Sequence, residues 1–185
     1  MFVQTEITPN PASLKFLPGR VVMEKGTSYF RSVEEASNSL LAQNLFKIEG
    51  VEGVFFGSNF VSITKNESVD WQILKPPTFG AISDHYESGT PIINQIENSG
   101  NDATNTEDSD LVVQIKELLD TKVRPAVAMD GGDITFSDYK DGIVYLQMKG
   151  ACSGCPSSTA TLKAGIENML KHYLPEVKEV QPVME

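Results

Sequence analysis

Cys152 and Cys155 are the only cysteines in 185 residues, and they stand in the run Gly150-Ala151-Cys152-Ser153-Gly154-Cys155-Pro156. Thiolates are strong nucleophiles and soft metal ligands, so an isolated C-x-x-C points to redox chemistry, nucleophilic chemistry or metal binding. Secreted folds stapled by disulfides carry more cysteines at wider spacings, so a reducing compartment is expected. A dithiol–disulfide oxidoreductase places C-x-x-C at a helix start beside a βαβ pattern. Here the preceding elements read as a hairpin, and the strands that follow are too few to build the required sheet. The run also fits a nucleophile elbow, G-x-C-x-G, but that needs an acid and then a histidine on a much larger sheet. Only His172 lies downstream, within the same expected helix. Structural zinc takes four Cys or His ligands. The chain offers two cysteines and two stray histidines, His85 and His172, each of which reads as a surface or capping residue. An iron–sulfur cluster usually takes four thiolates, so one chain supplies half the set. Two chains would then meet with their loops face to face in a two-fold dimer. A cluster on such a seam is exposed and removable, which suits a carrier. Two buried core cysteines are the bland alternative, poorly suited to a turn rich in Gly, Ser and Pro. Spacing alone leaves cluster, zinc and redox level.

The elements around the motif say how it is held. Pro156 sits where a helix begins, and Leu162, Ile166, Met169, Leu170 and Tyr173 supply that helix's apolar face up to Pro175. A helix N-terminus favours thiolate over thiol, so depressed pKa values are expected for both cysteines. Before the motif, the strands ITFSDY and IVYLQMK flank a hairpin turn at Lys140-Asp141-Gly142, and VKEVQPV is a last strand. Leu111, Val112, Ile115, Leu118, Leu119 and Val123 form a helical stripe, capped at Ser109 and ended near Pro125, with Asp130-Gly131-Gly132-Asp133 as a turn. The order α-β-β-α-β defines a small α+β domain.

The other half reads differently. FVQTEIT and Leu14–Leu17 are expected strands around Pro9-Asn10-Pro11. Ser32 and Glu35 form a capping box for a helix through Val33, Ala36, Leu40, Leu41, Leu45 and Ile48. VEGVFFG and FVSITK follow as strands, and a helix from Asp70 toward Gly89 should break or restart at Pro76-Pro77. Residues 97–110, with five acids, no base and one apolar side chain, read as a flexible acidic linker. Two α+β domains at 1–96 and 111–185 are therefore expected. Residues 1–106 carry 7 bases and 12 acids, and residues 107–185 carry 8 and 13, so each half is net −5. That balance, with no basic patch, excludes a generic nucleic-acid binder. No apolar run approaches the ~20 residues of a membrane span.

Val123-Arg124-Pro125 through Asp130-Gly131-Gly132-Asp133-Ile134 resembles the R-P-x-x-x-x-D-G-G-D stretch of the NifU C-terminal-like (Nfu) family. Residues 150–158 resemble that family's cluster-binding loop without departure. Gln4-Thr5, Thr8-Pro9-Asn10-Pro11, Leu14-Lys15-Phe16, Val54-Phe55-Phe56-Gly57 and Trp71 with Leu74-Lys75-Pro76 resemble the Nfu N-terminal domain. The resemblance implies a scaffold or carrier, not an enzyme. It would bind a [4Fe–4S] cluster, one per homodimer, with [2Fe–2S] as the second option, through Cys152 and Cys155. Upstream assembly scaffolds would supply the cluster and client apoproteins would receive it. The first domain, which holds no cysteine, would dock partners. Its Pro9-Asn10-Pro11 and Phe55-Phe56 read first as turn and core strand, and second as recognition surface. The absence of a leader before the first strand suggests a bacterial cytoplasm, with a processed protein of the mitochondrial matrix as the alternative.

Overall fold

The computed structural model describes residues 2–94, 110–153 and 156–183, without the side chains of 156–158. It divides into two compact units, Met1–Asn98 and Ser99–Glu185. The expected linker and its Ser109 cap lie outside the described residues, apart from Asp110, which opens a helix.

The first unit is a five-stranded antiparallel sheet backed by helices. Its strands are β1 (Gln4–Ile7), β2 (Ser13–Leu17), β3 (Ser28–Phe30), β4 (Val51–Phe56) and β5 (Val61–Lys65), in the order β1-β2-β5-β4-β3. Leu14, Phe16, Val54, Phe56, Val61 and Ile63 share a core with Leu41, Leu45 and Ile82 of α1 (Leu40–Phe46) and α2 (Trp71–Ser88). Each such side chain contributes about 1.5–3 kcal/mol by leaving water. Phe55 and Phe56 are both buried, so this pair is core strand, not recognition surface. Asn10 is buried too: its Oδ1 accepts from Ala12 N at 2.9 Å, so the Pro9-Asn10-Pro11 segment is a structural turn.

Two helix expectations in this unit need correction. The helix from Ser32 is instead a 3-10 turn, Glu35–Asn38, followed by α1. Glu35 does reach back, accepting from Arg31 N at 2.8 Å, but the cap of α1 is Ser39, whose Oγ accepts from Ala42 N at 3.2 Å. Pro76 and Pro77 do not break α2, which is continuous from its Asp70 cap. The carbonyls deprived of an N–H partner belong to Gln72 and Ile73, both exposed residues, where water can replace the lost bonds.

The second unit opens with α3 (Asp110–Leu118), one π-helical segment (Leu119–Val123) and α4 (Arg124–Met129). Pro125 therefore does not end the helix. The π segment, in which Arg124 N donates to Leu119 O five residues back, brings the chain to Pro125 at the start of α4, where its missing N–H matters least. Then come β6 (Gly132–Lys140), β7 (Ile143–Gly150), α5 (Pro156–Tyr173) and β8 (Glu179–Val183). Asp141 (φ 55) and Gly142 (φ 86) both lie in the left-handed region, as a two-residue primed hairpin turn requires. Sheet order is β6-β7-β8, with β8 parallel to β7, so α5 is a βαβ crossover that the sequence pattern did not reveal. Val144, Leu146 and Met148 point inward from β7 onto Ile115, Leu119, Ile166 and Leu170. This is the expected α-β-β-α-β domain.

Candidate functional site

The cysteine loop joins the end of β7 to the start of α5, and backbone bonds fix its first half. Ser153 N and Oγ donate to Gly150 O at 3.0 and 2.8 Å, closing a turn directly after the strand. Ala151 N donates to Gly131 O at 3.1 Å, tying the loop to the turn between α4 and β6. Thr159 Oγ1 in α5 donates to Cys152 O at 3.2 Å. Three elements therefore hold Cys152 from three sides.

Its side chain points inward. Cys152 is 6% exposed and belongs to the core around Met148, Val127 and Ile134. Sγ fills the space left by the missing side chain of Gly132: a Cβ there would overlap the sulfur and come within 3.0 Å of Cys152 N and Lys149 O. Burial pushes the thiol up to about 12, with the carboxylates of Asp130 and Asp133 adding to the shift. The expectation of a depressed pKa is therefore wrong for Cys152. Seated in the core, the sulfur loses the water that would stabilise a thiolate, and the two acids beside it add to that cost. Cys155 and Gly154 lie outside the described residues.

The histidines take no part in what is described of this site. His172 sits in the last turn of α5 with its ring against Tyr173, centroids 5.1 Å apart. His85 belongs to the first unit and is not a surface or capping residue: it is 4% exposed. Leu74, Thr78, Ile82 and His85 share the buried face of α2, a spacing that marks His85 in the sequence once the prolines are read as helical. Burial holds its imidazole below the ordinary pKa.

One pair escaped the sequence reading. Arg124 Nε donates to Asp133 Oδ1 at 2.9 Å and Nη2 to Oδ2 at 3.0 Å, while Nη1 donates to Asp120 Oδ1 at 3.0 Å. Asp133 is 2% exposed, and its Oδ1 also accepts from Ile134 N at 2.8 Å. The hydrogen bonds to Asp133 raise the guanidinium further above its ordinary pKa. An acid wedged between Gly132 and Ile134 at a strand start was the available signal, since such a charge is buried only when paired.

A fold of two α+β units with a thiol loop at a strand–helix corner defines a class that comparison with known proteins makes specific. The family model described as "Scaffold protein Nfu/NifU N terminal" matches residues 3–89, and the one described as "NifU-like domain" matches residues 115–181. The human protein named "NFU1 iron-sulfur cluster scaffold homolog, mitochondrial" is 50% identical over 100% of this chain and 73% of its own length. Its namesake in Drosophila willistoni is 50% identical over 100% of this chain and 64% of its own. "NifU-like protein 4, mitochondrial" of Arabidopsis thaliana is 53% identical over 98% and 65%. The chain belongs to the Nfu family. It spans about two thirds of the length of the fly and plant relatives.

Proposed function

We propose that this protein is an iron–sulfur cluster scaffold and carrier, not an enzyme. The cluster is cargo, held by Cys152 and Cys155 of two copies, and passed to client apoproteins after delivery by upstream assembly proteins. The observation that carries the reading is the cysteine count: a chain whose relatives are named iron–sulfur cluster scaffolds has two thiols, both in one loop of its NifU-like domain. Four thiolates then require two chains; both [4Fe–4S] and [2Fe–2S] clusters take four, and the resemblance to the Nfu family favours [4Fe–4S].

Cys152 in its buried, protonated form is consistent with a cluster-free resting state, because cluster binding must displace the proton. The same feature makes Cys152 a poor attacking thiol, which works against an oxidoreductase that attacks through it. Residues 1–96 and 111–185 act as separate modules on either side of the acidic segment 97–110. The first module, lacking cysteine, docks partners. The relatives are named mitochondrial, which favours a mitochondrial location, and the expected bacterial cytoplasm finds no support in those names. No helix among the described residues is long and apolar enough to cross a membrane.

Anaerobic reconstitution of the full chain beside Cys152→Ser and Cys155→Ser tests the reading. Each substitution should abolish stable iron binding and activation of an apo-client. Iron content equal to that of the unsubstituted chain in either variant would refute it.

A further inference from the structure

Asp133 and Arg124 form a paired charge in a place where folding alone does not demand one. Apolar residues of similar volume commonly replace a buried ion pair without loss of stability. A bidentate pair supplies geometry instead, because two parallel hydrogen bonds fix distance and orientation together. The helix is distorted in a way that aims this pair. The π segment Leu119–Val123 lies directly before Arg124. One inserted residue turns everything after it by about 100°. Asp120, within that segment, accepts from Arg124 Nη1, so the guanidinium is held from two sides.

The target of the pair adjoins the sulfur. Asp133 shares a peptide bond with Gly132, and Gly132 is the seat that Cys152 Sγ occupies. Gly132 lies opposite Gly150 in the β6–β7 register, and Ala151 N bonds to Gly131 O. Any movement of Asp133 therefore moves the seat.

We propose that Arg124 and Asp133 are positioning residues for Cys152: the π turn aims Arg124 at Asp133, and the pair fixes Gly132 beneath the sulfur, withdrawing the thiol into the core whenever no cluster is held. Both residues act through Gly132. The inference rests on reading Cys152 as a cluster ligand, and it deepens that reading. A ligand with a built resting place in the cluster-free chain lowers the free energy of the state left after transfer. The pair thereby biases the protein toward giving its cargo away.

The test uses the full chain carrying Cys155→Ser, so that iodoacetamide at pH 8 reports Cys152 alone. Three versions are compared: Arg124 and Asp133 intact, the apolar swap Arg124→Met with Asp133→Leu, and Arg124→Lys. The swap also removes the Asp133 carboxylate, which helps hold the thiol protonated, so Arg124→Lys, which keeps both charges, is the electrostatic control. Labelling should rise at least tenfold in the swap and by a smaller factor in Arg124→Lys, which keeps the charge but loses the fork. A folded swap that labels at the intact rate would mean a merely structural pair and would overturn the proposal. Should the swap not fold, Arg124→Lys decides alone, and labelling at the intact rate again overturns it. In chains with both cysteines, loaded with iron and sulfide, the swap should retain its cluster at least threefold longer against a chelator. Equal retention overturns the bias toward release. Labelling needs no iron, so slow labelling of the intact chain together with failure of both chains to bind iron would count against the cluster reading, not against the seat.

Discussion

Gly132→Ala isolates the seat of Cys152. The φ of Gly132 is not in the left-handed region, so alanine introduces no backbone strain and the effect is one of space. The new Cβ would overlap Sγ and lie 3.0 Å from Cys152 N and Lys149 O. Ordinary contact between such atoms needs about 3.5–4 Å, so the sulfur must shift by roughly an ångström or more and the backbone by several tenths. Overpacking of this kind costs about 1–3 kcal/mol. If the thiol swings out to relieve it, the loss shrinks toward the burial of one small side chain, about 1 kcal/mol. For a domain of this size each kcal/mol lowers the melting temperature by about 4–8 °C. The second unit should therefore melt some 5–20 °C lower, with Cys152 labelled faster in the Cys155→Ser background. Trp71 is the single tryptophan and lies in the first unit, so its fluorescence transition is an internal control that should not move. Near-ultraviolet circular dichroism sums the aromatic side chains of both units, Tyr139, Tyr145 and Tyr173 among them, so the transition it shows beyond the Trp71 one is the second unit's. A variant with unchanged melting and unchanged labelling would show that the sulfur does not rest on Gly132.

Further outcomes follow from the same geometry. With Cys155→Ser, the pH profile of Cys152 alkylation should have its midpoint well above the ordinary 9.0 and near 12, and a midpoint at 9 would contradict the buried seat. Because the folded pKa is raised, the stability contributed by neutral Cys152 is complete below about pH 9 and is lost as pH climbs toward 12. Cys152→Ala should accordingly flatten the alkaline decline of the second unit's stability. His85 has the opposite sign: its folded pKa is lowered, so its contribution is present above about pH 6.5 and is lost as pH falls. The Trp71 transition should weaken below that pH, and less so in His85→Leu; equal acid sensitivity in both would contradict a buried neutral imidazole. Gly142→Ala forces a side chain into the left-handed region, with its Cβ 2.8 Å from Lys178 Cδ and 3.2 Å from Glu176 O. Urea unfolding of the second unit should register at least about 1–2 kcal/mol, and a loss under 0.5 kcal/mol would contradict the primed turn.

What could be read in advance depended on whether the deciding partner was close in sequence. The β6–β7 hairpin was legible because Asp141-Gly142 and the alternation on both sides specify turn and register locally. The strand–helix corner at Cys152 was legible for the same reason. The prolines misled because sequence displays the N–H they lack and hides what replaces it: exposed carbonyls at Gln72 and Ile73, a π segment before Pro125. Apolar spacing from Val33 to Ile48 ran straight through a break at Ser39, whose Oγ also donates to Ile92 O, a bond 53 residues away. At the site, residue types announced sulfur chemistry, but the protonation of Cys152 follows first from its burial against Gly132 and then from the carboxylates of Asp130 and Asp133, all about twenty residues earlier in the chain. The Arg124–Asp133 pair joins residues nine apart and follows a π turn, which no periodicity predicts.

Iron and sulfide per chain, measured with Mössbauer spectroscopy and solution mass after anaerobic reconstitution, address the shared cluster most directly. One [4Fe–4S] cluster held by two copies gives two irons and two sulfides per chain in a dimer that falls apart when the cluster is removed or either cysteine is replaced. One iron per chain in a dimer would identify a bridging [2Fe–2S] cluster. A monomer that holds a full cluster, or zinc retained in preference to iron when both are offered, would contradict a carrier that shares its cargo through Cys152 and Cys155.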